Sequence, residues 1–379
     1  MLYNPGVQDR HVGQGENQAQ TLLEQNAKKA LEAAGFKPES AHFIPEGRQH
    51  NIFDITFADG SAFIARFEKT PKGSRKDSQF NGPLSLERET NLMNLVREQG
   101  LPAPVVYGLY ETEQGRFLIV EKMPGVHWSE HQANSNYSEG AYLKSLRLLG
   151  KDLAVAHSVR FKTFGDVVSK DQIEPANIYD FNSRVDLITK LRLERAQTSK
   201  ALDQEELDQV TKYLGQESDR LADMLADNPQ KPILVLTDLH PMNFFVDDQG
   251  KPSGFFDLEA CQAGHPALEI YNLRTHVLNY FDGVSDEAEW EFLTGYEENG
   301  GRYNPQDPIN KKIEHVLGIG YLVAAVTAYQ NAKDGLRDTW SDQFKQILNN
   351  SMEKDEVDFP AISGVFGSKT KQPRFPTEP

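Results

Sequence analysis

Hydrophobic and polar positions fall into blocks of different period along this chain. A polar lead runs into an amphipathic stretch in which Leu22, Leu23, Ala27, Ala30, Leu31 and Ala34 recur at helical spacing and Gly35 marks a stop. Over residues 41–69 the runs shorten to HFIPEG, NIFDITF and AFIARF, separated by turn residues, with Asp59-Gly60 as a hairpin signal between the last two. A polar loop over residues 72–82 leads to residues 84–99, where Leu86, Leu92, Leu95 and Val96 share one helical face before Gly100. Two further strand-like runs, PVVYGLY and RFLIVEKM, complete a β-rich region that Pro124-Gly125 closes.

Helical spacing then takes over, at residues 142–158, 178–195, 203–227, 267–280, 286–298, 311–332 and 340–352. One β island interrupts it, over residues 233–260, where strands at 233–236, 243–246 and 254–256 bracket a polar loop and an Asp-Asp-Gln-Gly turn. Residues 353–379 are proline-rich without helical period and read as an extended or partly disordered tail. The expected organisation is an N-terminal extension and helix over 1–40, a β-rich lobe over 41–123, a larger helical lobe over 124–352 and the tail.

Composition narrows the class. The 379 residues carry 56 acidic and 40 basic side chains, a formal charge of −16, and 38% hydrophobic residues. A chain of this size buries roughly three quarters of its unfolded surface, so its core needs no covalent staple. The single cysteine, Cys261, makes no internal disulfide and reads as a small buried residue in a reducing compartment. The first residues, MLYNPGVQDRHVGQG, lack the basic and apolar regions of a secretory signal, and the longest apolar stretch, residues 316–329, is short of a membrane span. A cytoplasmic protein with no membrane segment is expected. The acidic balance argues against nucleic acid as a partner, because phosphate backbones call for a basic footprint. It leans slightly toward an amine-bearing small molecule. Nothing in the pattern sets an oligomeric state.

Candidate chemistry sits at the strand ends of the β island. Asp238 and Asn243 lie five residues apart in the loop after ILVL, and Asp257 follows fourteen residues later at the end of the strand GFF. Phosphoryl transfer from ATP needs one carboxylate to orient the acceptor hydroxyl and take its proton, and a carboxylate and an amide to hold hard Mg2+ ions against the phosphates. Asp238 suits the first role; Asn243 and Asp257 suit the second. The spacing alone decides nothing, since Asp223 and Asn228 repeat it in a helical stretch, and Asp and Asn are common turn and cap residues. Context separates the pairs: only the first has an apolar strand before it and a strand ending in Asp after it.

At this point the chain resembles the aminoglycoside phosphotransferase and choline kinase superfamily, relatives of protein kinases in fold. That family's signature is a His-Gly-Asp-Leu-His-Pro-Gly-Asn loop followed by a strand ending Ile-Asp-Phe/Trp-Glu. Here Leu236-Thr237-Asp238-Leu239-His240-Pro241-Met242-Asn243 precedes Phe256-Asp257-Leu258-Glu259. The resemblance implies Asp238 as catalytic base and Asn243 and Asp257 as magnesium ligands. Leu236 and Thr237 replace the family's His-Gly, so the loop is expected to be held differently.

Other family landmarks follow in order over roughly residues 41–330. The stretch from Glu46 to Asn51 resembles the phosphate-covering loop, with Gly47 allowing close approach. Arg66 stands where the family places a phosphate-contacting Lys or Arg, and Glu89 where its acidic partner stands, with Glu87 as a nearby alternative. Backbone groups around Glu121 and Met123 would meet adenine. His157 reads as a packed or capping residue, and Glu269, past Gly264-His265-Pro266, as structural. His127 and His131 read as packing, and the acidic cluster Asp286, Glu287, Glu289, Glu291, Glu297 and Glu298 as a solvated helix face that could alternatively meet a cationic acceptor.

The expected fold class is therefore α+β, a two-lobed kinase-like architecture with nucleotide between the lobes. The expected function is a small-molecule kinase that uses ATP and Mg2+ to phosphorylate a hydroxyl of an aminoglycoside-like, amino-alcohol or sugar acceptor. The alternative is a catalytically impaired relative that binds nucleotide or ligand only. A protein kinase is disfavoured, since no Asp-Phe-Gly to Ala-Pro-Glu segment follows Asp257.

Overall fold

In a computed structural model the described residues are 14–45, 50–69, 76–77, 82–83, 85–132, 138–281, 284–332 and 337–367. Helix α1 (Gln14–Ala33) leads into strands β1 (Pro38–Ile44), β2 (His50–Phe57) and β3 (Ala62–Glu68), with a short pair β4 (Lys76–Asp77) and β5 (Gly82–Pro83) after them. Helix α2 (Leu86–Glu98) precedes β6 (Val106–Thr112) and β7 (Gly115–Glu121). The five long strands form one antiparallel sheet in the order β1-β2-β3-β7-β6.

Strand alternation sorts the two faces of this sheet. Phe117 and Ile119 of β7 join Phe53, Phe67 and the α1 residues Ala27, Ala30 and Leu31 in a small aromatic-rich core. Leu118 and Val120 point the other way, onto α2 and the main core. Arg66 is opposite Leu118 in the ladder and takes its face, whereas Ala65 and Phe67 take the other. The period of two thus aims Arg66 at α2 and the cleft. Ser85 caps α2 by accepting from the Arg88 amide at 3.1 Å, which starts the helix where Glu87 and Glu89 fall in its first turn.

The second part begins with β8 (Val126–His127), α3 (Trp128–Gln132) and α4 (Glu139–Ala156), then β9 (Gly165–Ser169), β10 (Gln172–Glu174), α5 (Phe181–Ser199) and α6 (Gln204–Ala226). The island follows as β11 (Ile233–Val235), β12 (Phe244–Val246), β13 (Pro252–Phe255) and β14 (Gln262–Gly264). Its strands divide between two small sheets, β10-β9-β14-β11 and β13-β12-β8. Helices α7 (Pro266–Leu273), α8 (Ser285–Glu298), α9 (Pro308–Tyr329), α10 (Trp340–Lys354) and α11 (Phe359–Gly367) complete the lobe. No described helix is long and apolar enough to cross a membrane. Helices α4 and α8 pack backbone to backbone: a side chain at Gly150 or Gly295 would overlap the carbonyl of Phe292 or Arg147.

Several elements differ from the sequence expectation. The helix expected over residues 267–280 is α-helical only to Leu273 and continues as a π-helical turn, Arg274–Leu278. Strands β9 and β14 were not expected, because each is too short to display a period. The tail is not extended throughout, since Phe359–Gly367 is helical and buries Ile362 and Val365. Pro360 sits in its first turn, where a missing N–H costs nothing. Residues 368–379 lie outside the described residues.

Candidate active site

The cleft is built around one buried cation. Arg66 Nη1 lies 2.6 Å from Glu89 Oε1, the partner expected from the sequence, and Nη2 lies 3.8 Å from Asp257 Oδ1. His50, at the start of β2, places Nε2 3.9 Å from both Glu89 Oε2 and Glu259 Oε2. Glu87 instead pairs with Arg116 of β7. Three carboxylates therefore surround Arg66. Burial by itself works against the guanidinium charge, but Glu89, Asp257 and Glu259 outweigh it and hold its pKa above the ordinary value. Burial raises Glu89, opposed by Arg66 and His50. Asp257 is pushed up to about 7 by burial first, then by Glu259, against Arg66, with Asp238 adding to the rise.

Asp238 and Asn243 reach this cluster through the β island. The Asn243 carbonyl accepts from the Phe256 amide at 2.9 Å, so Asn243, just before β12, and Asp257, just past the end of β13, stand at the same end of that strand pair. Asn243 Nδ2 donates to the Asp238 carbonyl at 2.8 Å, which closes the loop on itself. Asp238 is half-buried, whereas Asn243 is buried.

The loop is held by groups other than the family's His-Gly. Thr237 takes the left-handed region at φ 61°, a conformation suited to the glycine it replaces. Its hydroxyl donates to the Ala260 carbonyl, and Asn272 donates to the Thr237 carbonyl. The buried Glu269 carboxylate accepts from the amides of Leu236 at 2.6 Å and Thr237 at 3.2 Å. His157, at the C-cap of α4, lies between Glu269 at 3.6 Å and the Tyr296 hydroxyl at 2.6 Å. Expectations of structural roles for Glu269 and His157 agree with these contacts.

A profile of the phosphotransferase enzyme family matches residues 42–304. The chain belongs to that family. Among solved structures, aminoglycoside phosphotransferase APH(4)-Ia, as a thermostable mutant, is 16% identical with TM-score 0.58, over 88% of this chain and 99% of that one. The ADP-bound aminoglycoside phosphotransferase APH(2'')-Ib is 12% identical with TM-score 0.56, over 86% and 98%. The Streptomyces rimosus aminoglycoside phosphotransferase APH(3'')-Id, solved with ADP and streptomycin, is 16% identical with TM-score 0.50, over 76% and 96%. These likenesses establish the kinase-like α+β fold of this phosphotransferase. Curated proteins provide no match.

Around the expected adenine position, the Glu121 amide of this phosphotransferase donates to the Val105 carbonyl at 2.8 Å, and the Glu121 carboxylate accepts from the Val105 amide at 3.0 Å. Met123 lies past the end of β7 with its side chain near Gly254 and Phe256. Gly47 lies outside the described residues. His50 and Glu259 join the charged cluster although the sequence marks neither beyond its place in the Glu46–Asn51 and Phe256–Glu259 stretches. Asn272, in the middle of a helical period, carries no sequence signal for its bond to the loop.

The acidic residues of α8 form the solvated face expected for Asp286, Glu287, Glu297 and Glu298, with Glu289 and Glu291 half-buried. Glu291 and Glu298 pair with Arg147, and Glu289 pairs with Arg274, which also binds Glu314. Elsewhere, Glu217, His315 and Asp355 bring three ligand atoms within 4.8 Å, but the Lys312 ammonium already lies 2.5 Å from Glu217 and 3.6 Å from Asp355.

Proposed function

We propose that this phosphotransferase moves the γ-phosphoryl group of ATP to a hydroxyl of a small molecule, with Mg2+ as cofactor. The observation that carries the reading is the convergence of Arg66, Glu89 and Asp257 at 2.6 and 3.8 Å beside a loop presenting Asp238 and Asn243. The donor set suits the metal: Asp257 and Asn243 offer side-chain oxygens at one end of the β12–β13 pair, and three carboxylates there meet Arg66 and a histidine, an excess of negative charge that a divalent cation would neutralise. Bound there, Mg2+ would neutralise charge on the transferring phosphoryl group.

The chain's own residues do the rest. Arg66, fixed by Glu89, orients phosphate oxygens with a planar fork. Asp238 accepts the hydroxyl proton as the acceptor oxygen bonds to phosphorus and the bond to the β-phosphate oxygen breaks. Its half-exposed setting leaves it reachable by an acceptor. Aminoglycoside phosphotransferases of the same fold have been solved with ADP, which supports nucleotide as the donor class. Glu269, Asn272 and Thr237 together hold the loop that Leu236 and Thr237 would otherwise leave loose, and this favours a working enzyme over an impaired relative.

Calorimetric titration of ATP, with and without Mg2+, into the wild type and Asp257→Ala tests the reading. Binding that requires both Mg2+ and Asp257 is expected. Binding indifferent to both, or none at all, would sink it.

A further inference from the structure

The helical lobe holds buried donors that the phosphoryl-transfer site does not use. Arg192, on α5, lies across Gly320 of α9, where the first carbon of any side chain would come within 2.8 Å of Nη1. That nitrogen reaches the Leu317 carbonyl at 3.4 Å, and Nε is buried without a hydrogen-bond partner. Among the described residues no carboxylate pairs with it. Burial pushes its pKa down to about 10, and the titrating groups around it are Tyr271, Tyr321, Arg184 and Arg195: two phenols and two further cations. The half-buried guanidinium therefore keeps its charge with no acid against it, and its enclosed Nε has no acceptor.

Tyr271 adds a second unspent donor. It is 5% exposed, and its hydroxyl has only the Thr275 hydroxyl beside it, which makes its own well-formed bond to the Tyr271 carbonyl at 3.0 Å. The Tyr271 ring lies 5.2 Å from that of Tyr321. This corner is continuous with the catalytic loop: Asn272, next to Tyr271, donates to the Thr237 carbonyl beside Asp238. Tyr321 senses both charges, the Asp238 carboxylate and the Arg192 guanidinium.

We propose that the acceptor carries an anionic group, a carboxylate or a phosphate, held by Arg192 with the Tyr271 hydroxyl while its own hydroxyl faces Asp238. This rests on the kinase reading above and names the substrate class of that same site. A guanidinium fork matches the paired oxygens of either anion, and Gly320 leaves the space it occupies. The proposal reverses the weak pointer of net charge toward an amine. Of the six α8 carboxylates, Glu289, Glu291 and Glu298 are already paired with Arg274 and Arg147, and Asp286, Glu287 and Glu297 lie exposed on the solvated face.

A matched set of small probes sharing one diol end tests it: glycerate, glycerol 3-phosphate, glycerol and 3-amino-1,2-propanediol. Each is titrated at constant ionic strength, with Mg2+ and ADP present, against the melting temperature of the full chain. The wild type is expected to show a saturable rise with glycerate or glycerol 3-phosphate and none with the other two. In Arg192→Met the half-saturating concentration should rise at least tenfold, with Arg192→Lys, which keeps charge without the fork, between them. A response to glycerate alone assigns the carboxylate, and to glycerol 3-phosphate alone the phosphate. A response led by the amine or by glycerol, an equal response in Arg192→Met, or no response overturns the proposal. The kinase reading stands or falls separately, on ATP binding to wild type and Asp257→Ala, where Arg192 has no part.

Discussion

A carboxylate that takes a proton during reaction must be reachable by substrate, whereas one that anchors a cation works better enclosed. Asp238 is half-buried and Glu89 fully buried, and their substitutions should separate accordingly. Asp238→Asn keeps shape and removes the base, so turnover should fall by roughly a hundred- to ten-thousand-fold. Melting temperature and ATP affinity should hardly change. An active Asp238→Asn enzyme would refute the assignment. Glu89→Gln acts on the fold as well, because it leaves Arg66 buried with Asp257 at 3.8 Å as its nearest remaining acid. Breaking such a buried pair costs about 3–5 kcal/mol. Urea unfolding should register that loss together with a raised KM for ATP.

At the scale of elements, α7 is the piece that ties the site together, since it carries Glu269 and Asn272 to the loop and Tyr271 to the acceptor side. His265 caps its start, accepting from the Ala267 amide at 3.2 Å. Burial, with His157 adding to it, pushes the His265 pKa down to about 3. The unfolded chain then binds a proton here that the folded chain refuses, so stability is lost as pH falls from about 6.5 toward 3. His265→Asn keeps a capping oxygen and removes the titration. Its melting temperature should fall less between pH 7 and pH 5 than that of the wild type, and an unchanged slope would place the acid sensitivity elsewhere.

The same elements mark what the chain discloses and what it does not. The alternation in AFIARF and RFLIVEKM put Arg66 on the face opposite Phe67, and the Leu86, Leu92, Leu95 and Val96 stripe put Glu89 where that face meets α2. Asp238, Asn243 and Asp257 were legible because an apolar strand flanks each turn. The anchoring contacts are legible only in part: Glu269 reads as structural, but the loop it holds, and any role for Asn272, depend on what packs above a helical period. The π-helical turn Arg274–Leu278 was equally hidden, since one extra residue per turn barely disturbs a helical pattern. Short strands such as Gln262–Gly264 exist only through their partners.

For the molecule as a whole, the C-terminal helix decides how far packing and chemistry are linked. α11 straps the π-helical turn from outside: Ser363 donates to the Thr275 carbonyl at 2.7 Å, the Phe359 ring lies 5.6 Å from the Arg274 guanidinium, and Phe366 lies 4.9 Å from the His276 ring. His276 in turn meets His240 of the catalytic loop at 6.2 Å. Ile362, fully buried on the inner face of α11, holds that strap in place. Ile362→Ala should cost about 2–5 kcal/mol through the cavity it leaves. If the strap also sets the π-turn, turnover should drop in this variant at temperatures far below its melting point, and Phe366→Ala, which removes the contact to His276 from a half-exposed position, should lower turnover with a smaller loss of stability. A lowered melting temperature with full turnover in both variants would reduce α11 to a piece of core with no hold on the chemistry.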